Sequence, residues 1–162
     1  MTMSRTRALL LSATLLFGAG QAWAQATPYG APLSLEQAKK AMAAAEAEAM
    51  KNNWNVVIAV VDPGGHLVLL QRLENTAYGS VYVSQEKARG AIAFRRPTKA
   101  FQELIGQGGE NLRLLNLTGD AGVLEGAVPI VAGGKMVGAI GVSGGTSKQD
   151  AQVAQAGADA VK

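Results

Sequence analysis

The single histidine of the chain, His66, is the side chain best suited to proton transfer or metal ligation near neutral pH. It follows Asp62-Pro63-Gly64-Gly65, a sequence typical of a tight turn in which Asp62 bonds to nearby backbone N–H groups. A residue at the exit of such a turn is expected to be at least partly exposed. One imidazole cannot form an ordinary zinc site. His66 is therefore a candidate iron ligand or proton carrier, and a simply solvated turn residue is the alternative interpretation.

Five basic residues surround Pro97: Lys87, Arg89, Arg95, Arg96 and Lys99. Arginine can bind a carboxylate through two parallel hydrogen bonds. The three arginines are therefore candidates for holding an anionic group. The ordinary interpretation is that all five side chains belong to a solvated helix face.

A second motif, Gly141-Val142-Ser143-Gly144-Gly145, matches the G-x-S-x-G nucleophile elbow of hydrolases. No histidine follows Ser143, and the chain is too short for that fold. We interpret the motif as a glycine-rich turn between a strand and a helix. Ser143, and Thr146 at the start of the helix, remain candidates for binding a carboxylate through a helix N-terminus.

Hydrophobic periodicity and turn signals predict the elements that position these residues. Helices are expected at residues 34–51, 80–94 and 98–104 and from about 146 onwards, and two hairpins at 55–70 and 128–142. The nearly continuous apolar strands indicate a sheet covered on both faces. The order predicts an α+β fold: an antiparallel sheet of two hairpins packed with helices, in the order helix-hairpin-helix-helix-hairpin-helix.

The sequence also predicts helix caps, one loop and the location of three methionines. Ser34 and Gln37 have the spacing of a capping box, and Thr146 or Ser147 caps the last helix. Residues 106–109 are expected to form a loop. Three methionines are expected in the core: Met42, Met50 and Met136.

The N-terminus predicts export. Arg5 and Arg7 precede an uncharged apolar run at residues 8–19, and Ala22-Trp23-Ala24 resembles a cleavage site, so residues 1–24 are expected to be a signal peptide. The run is too short to span a bilayer. Residues 25–32 are then an extended leader and residues 33–162 one domain, located in the periplasm or secreted.

Composition excludes several classes of function. The chain contains no cysteine, which excludes disulfides, thiolate metal sites and covalently attached haem. The formal charge is +3, and two of these charges come from Arg5 and Arg7, so nothing favours nucleic-acid binding. A small domain without disulfides is expected to gain stability from contacts between identical subunits.

Four separated blocks of sequence resemble the GlcG/HbpS family, which also occurs as the C-terminal domain of PduO-type proteins. They are VVDPGGHL at 60–67, KAR and FRRPT at 87–98, VPI at 128–130, and GAIGVSGGT at 138–146 followed by QD at 149–150. The resemblance spans nearly the whole predicted domain. It implies a profilin-like domain that assembles into higher oligomers, often octamers, with a haem- or corrinoid-linked role.

The resemblance leads to an expected function: an exported, oligomeric protein that binds haem without a covalent bond and serves in haem sensing, storage or breakdown. A sensor protein or an enzyme is the expected partner, and no membrane anchor is expected. The candidate cofactor-binding residues are His66 as iron ligand, Arg89, Arg95, Arg96, Ser143 and Thr146. If the chain is an enzyme, the expected reaction is oxidative haem degradation. The alternative is an accessory module that binds a small organic acid, a corrinoid or a partner enzyme.

Overall fold

The computed structural model describes residues 26–117 and 122–162, so the predicted signal peptide lies outside the described residues. The elements are α1 (Leu35–Lys51), β1 (Val57–Val61), β2 (Leu67–Arg72), α2 (Ser80–Ala93), α3 (Lys99–Gly106), a 3-10 helix (Gly109–Leu117), β3 (Ala127–Ala132), β4 (Lys135–Ser143) and α4 (Ser147–Asp159). The predicted order of helices and hairpins is confirmed.

The four strands form one antiparallel sheet in the order β2-β1-β4-β3. The two hairpins are joined through their inner strands, with Val57 opposite Ser143 and Val61 opposite Ala139. Helices α1 and α4 cover one face of the sheet and α2 covers the other. Every residue of β1 is buried as a result, which confirms the expectation of a sheet covered on both faces.

Helices α1 and α4 both begin at capping boxes. Ser34 and Gln37 exchange side-chain and backbone hydrogen bonds at the start of α1, and Thr146 and Gln149 do the same at the start of α4. Small residues let the two helices pack closely, since a Cβ on Gly157 of α4 would lie 2.8 Å from the Ala41 carbonyl oxygen of α1. The capping sequences therefore set where α1 and α4 begin, and the close contact between the two helices sets how they pack.

Helix α2 approaches the backbone of β4 on the opposite face. A Cβ on Gly141 would overlap the Ser84 carbonyl oxygen and lie 2.6 Å from the Ala88 backbone nitrogen. Only a glycine fits between the helix and the strand here. This contact sets the position of α2, which carries Arg89.

Two of the finer expectations were wrong. Met50 is 65% exposed, because it lies one residue beyond the buried stripe of α1 that ends at Ala49. Residues 106–109 are not all loop, because Gly106 ends α3 and Gly109 begins the 3-10 helix. Met42 and Met136 are buried, as predicted.

In the described part of the chain, no helix combines the length and apolar character needed to cross a bilayer.

Candidate functional site

The turn between β1 and β2 packs against the C-terminal half of α2 and leaves a small cleft there. The cleft has a volume of about 210 Å³ and is lined by Pro63, Gly64, Gly65, Arg89, Ile92 and Ala93. It lies at the end of the sheet where β1 ends and β2 begins.

One carboxylate organises this turn. Asp62 Oδ1 accepts hydrogen bonds from the backbone N–H groups of Gly64, at 2.8 Å, and His66, at 3.0 Å. Gly65 adopts a φ of +81°, in the left-handed region that favours glycine, and its N–H donates to the Asp62 carbonyl oxygen. The predicted role of Asp62 in the turn is confirmed, and the backbone before His66 is held in place.

The imidazole of His66 projects into solvent beside the cleft. Its side chain is 83% exposed, and Nδ1 lies 3.3 Å from Asp62 Oδ1. The ring lies against Gly64, since a Cβ at that position would be 2.8 Å from Nδ1. Nδ1 lies on the side of the ring that faces the carboxylate, and the high exposure of the side chain leaves Nε2 accessible to a metal or a proton. A carboxylate beside one ring nitrogen is a common neighbour of metal-ligating histidines.

Arg89 forms the helical wall of the cleft. Its Cγ would lie 3.4 Å from a Cβ placed on Gly65, so the turn rests on the aliphatic part of the arginine side chain. Within residues 26–117 and 122–162, the ion pairs formed by carboxylates do not include Arg89. The guanidinium is therefore available to an anionic group of a ligand that enters the cleft.

Arg95 and Arg96 follow the helix end that forms the cleft wall. Arg95, with a φ of +53°, lies 5.5 Å from the centre of the Tyr29 ring, and the Tyr29 hydroxyl donates to the Ile92 carbonyl oxygen at 2.8 Å. Arg96 lies 5.8 Å from the centre of the Phe101 ring. Both arginines thus lie over aromatic rings, and neither lines the cleft.

Ser143 and Thr146 lie away from this cleft. Ser143 is buried opposite Val57, whereas the turn with His66 follows Val61, four residues further along β1 or about 13 Å. The Thr146 hydroxyl accepts a hydrogen bond from the Gln149 N–H as the cap of α4. The structure therefore places Arg89 in the wall of this cleft and His66 beside the cleft, and leaves Ser143 and Thr146 away from both.

Sequence reasoning missed a buried ion pair. Lys87, expected on a solvated helix face, lies 2.8 Å from Asp150 Oδ2, and the two side chains are 4% and 3% exposed. Lys87 Nζ also donates to the Val142 carbonyl oxygen, and Asp150 Oδ1 accepts from the Gly145 N–H. The expectation for Lys87 was wrong because it occupies the buried stripe of α2 with Ser84, Ala88 and Ala91. The spacing of three and four residues between these positions is the sequence signal that could have predicted a buried Lys87.

A conventional metal site is not formed by the described residues. None of the His, Asp and Glu side chains in these parts of the chain come together in groups of three or more.

Comparison with known proteins places the chain in a family. A family model described as "Haem degrading protein HbpS-like" matches residues 33–159. Protein GlcG of Escherichia coli is 48% identical over 111 residues, which cover 68% of this chain and 81% of GlcG.

Two crystal structures resemble the chain closely. A PduOC:haem complex has a TM-score of 0.74 and 25% identity, over 81% of this chain and 96% of that one. A double mutant of HbpS from Streptomyces reticuli has a TM-score of 0.74 and 28% identity, over 97% and 99% of the two chains. The protein described here therefore belongs to the HbpS-like family.

Proposed function

We propose that this chain is an exported subunit of a homo-oligomer that binds haem without a covalent bond at the cleft between the β1–β2 turn and α2. The observation that carries the proposal is the exposed imidazole of His66, whose Nδ1 faces Asp62 and whose Nε2 is open to a ligand. The family model described as "Haem degrading protein HbpS-like", and the likeness to a structure solved as a PduOC:haem complex, support the same ligand class.

The donor groups at the cleft suit an iron tetrapyrrole. His66 offers one imidazole nitrogen to iron, and Arg89 offers a guanidinium to a propionate carboxylate. Bound haem would supply a redox-active iron with a coordination position for imidazole. The chain would offer a ring nitrogen beside Asp62 and Gly64 to the iron, and Arg89 would neutralise a propionate.

The size of the cleft limits how haem is held. Its volume of about 210 Å³ is below the roughly 300–1,000 Å³ of sites that enclose a small-molecule ligand. One chain therefore covers only part of a macrocycle, and the remainder faces solvent or a second subunit. This limit favours an oligomer in which another copy lies near the cleft.

Export is the second part of the proposal, and it rests on the basic, apolar and small-residue pattern of residues 1–24. Expression of the whole chain in a bacterium with a periplasm, followed by intact-mass measurement of the exported fraction, tests it. The expected product begins at Gln25. A protein that keeps residues 1–24 and stays in the cytoplasm would contradict export.

A titration with haemin tests the binding. The mature protein is titrated at micromolar concentration and the Soret band is compared with that of haemin in the same buffer. We expect a saturable shift of the Soret band, with a stoichiometry fixed by the number of subunits. Absence of a saturable shift would contradict haem binding.

Haem breakdown is tested with the same complex. Addition of a reductant in air should remove the Soret band faster than from an equal concentration of free haemin if the chain is a haem-degrading enzyme, as the description of the family model suggests. Equal rates of Soret loss from the complex and from free haemin would indicate that the chain binds haem without degrading it. The alternative of a carboxylate site at the start of α4 has less support, because Thr146 and Gln149 already bond to backbone groups there.

A further inference from the structure

The outer edge of the sheet at β2 has unused backbone hydrogen-bonding groups. The Leu73 N–H donates to the Val56 carbonyl oxygen. In an antiparallel pair, the backbone groups of successive residues point alternately towards and away from the neighbouring strand. The backbone groups of Leu69 and Gln71 therefore point towards β1, like those of Leu73. The N–H and C=O groups of Leu70 and Arg72 therefore point away from the sheet. In the described ranges, no other backbone segment bonds to this edge.

The two edges of the sheet differ in how well they are protected. The outer strand β3 contains Pro129, which has no N–H to offer. Strand β2 begins Leu67-Val68-Leu69-Leu70 and contains no proline or lysine, and its one charged residue, Arg72, is its last residue. Strand β2 is thus the edge that is ready to pair with another strand.

A groove runs beside this edge, between β2 and α1. It consists of two adjoining clefts of about 270 and 530 Å³ that share Glu46. One stripe of α1 forms its wall: Lys39, Ala43, Glu46 and Met50. Lys39 lies towards the N-terminal end of the stripe and Glu46 towards the C-terminal end, so the charge changes sign along the groove.

The positive end of the groove in one copy can therefore face the negative end of the same groove in a second copy. A two-fold rotation about an axis at Leu70 pairs β2 with β2 of a second copy in antiparallel register, because it places outward-pointing residues opposite each other. The same rotation reverses α1, which brings Lys39 of one copy towards Glu46 of the other. We propose that the β2 edge and the α1 groove form a two-fold interface between copies of this chain, which joins two sheets into one of eight strands.

This interface rests on the proposed self-association and is independent of haem. The variant Leu70→Cys tests it directly, because the chain has no cysteine of its own. Two residues paired across the axis would have Cα atoms about 5.5 Å apart, within the range of a disulfide. Under mild oxidation without haem, we expect most chains to become covalent dimers. The matched control is Val131→Cys on β3, which is 41% exposed and should remain a thiol.

Charge reversal provides a second test. Lys39→Glu and Glu46→Lys should each shift the protein towards monomer in analytical ultracentrifugation, and the double variant should recover the wild-type distribution. Lys148→Glu on α4 is the control and should leave the distribution unchanged, and circular dichroism verifies that each variant is folded.

Two outcomes would overturn the proposal. If the wild-type protein sediments as an oligomer but Leu70→Cys does not cross-link, the assembly uses another surface. If the wild-type protein is monomeric at all concentrations, self-association itself is wrong and the β2 edge serves some other strand. The haemin titration tests haem binding separately, whichever of these two outcomes is found.

Discussion

Lys87 and Asp150 form a 2.8 Å ion pair that joins a helix on one face of the sheet to a helix on the other. Lys87 belongs to α2 and Asp150 to α4, and both side chains are almost completely buried. The pair also holds the backbone of Val142 and Gly145, at the glycine-rich exit of β4. It therefore fixes how the two helical layers meet around the end of the sheet.

Removal of one partner should destabilise the fold strongly. Asp150→Ala leaves the Lys87 ammonium buried without its counter-charge, a change that typically costs about 3–5 kcal/mol. The thermal unfolding midpoint, measured by circular dichroism at one fixed protein concentration, should fall by well over 5 °C.

The surface pair of Lys99 and Glu103, at 3.7 Å, offers a matched control. Lys99→Met should change stability by less than about 1 kcal/mol, because exposed pairs contribute little. The double variant Lys87→Met, Asp150→Leu should be more stable than Asp150→Ala. Equal losses at the buried and the exposed pair would show that the buried contact has no special role.

The contact between α2 and β4 at Gly141 should be equally sensitive. Gly141→Ala forces a methyl group into the Ser84 carbonyl oxygen, and neither backbone can move without disturbing the core, so we expect a loss of about 1–3 kcal/mol or more. Urea unfolding followed by fluorescence measures it. Gly106→Ala meets open space at the end of α3 and should be neutral or slightly stabilising, and similar losses in both variants would contradict the close contact.

Glu48 should titrate at lower pH than an ordinary glutamate. The hydrogen bond from Gln152, at 2.6 Å, is the main cause that holds the pKa of Glu48 below 4.5, and Asn52 and Lys51 act in the same direction. Because the pKa is lower in the folded state, the contribution of Glu48 to stability is present above pH 4.5 and is lost as the pH falls through the lowered value.

Carboxyl NMR shifts across a pH titration measure this pKa. In Gln152→Ala, the pKa of Glu48 should rise towards 4.5. A Glu48 pKa that stays the same in this variant would remove the hydrogen bond as its cause.

Arg89 should contribute to haem affinity without changing the iron ligand. Arg89→Ala removes the cationic wall of the cleft, and loss of a hydrogen bond to a charged group costs about 1.5–3 kcal/mol, so the Kd for haemin should rise about 10- to 150-fold. The position of the Soret band at saturation should stay unchanged. Lys148→Ala on α4 is the control, and an equal loss of affinity there would indicate a general effect of charge.

The sequence predicted what depends on local pattern. The capping boxes at Ser34 and Thr146, the Asp62 turn and both hairpins follow from neighbouring residues, and all are confirmed. The family resemblance is confirmed as well. Non-local relationships were not predictable in the same way. The antiparallel pairing of β1 with β4 sends Ser143 to the end of the sheet opposite the His66 turn, and no local pattern specifies that pairing.

Lys87 illustrates the same limit. A lysine is ordinarily assigned to the surface, and its burial depends on Asp150, which is 63 residues away in sequence. The partner could not be identified before the relative positions of α2 and α4 were known. Periodicity along α2 alone could have marked Lys87 as facing inwards, but it could not have identified the carboxylate.

A crystal structure of the mature protein grown with haemin tests the central claim most directly. We expect the iron beside Nε2 of His66, with Nδ1 still facing Asp62 and a propionate near the guanidinium of Arg89. Iron bound elsewhere on the protein, with the cleft between the β1–β2 turn and α2 unchanged, would contradict the proposed site.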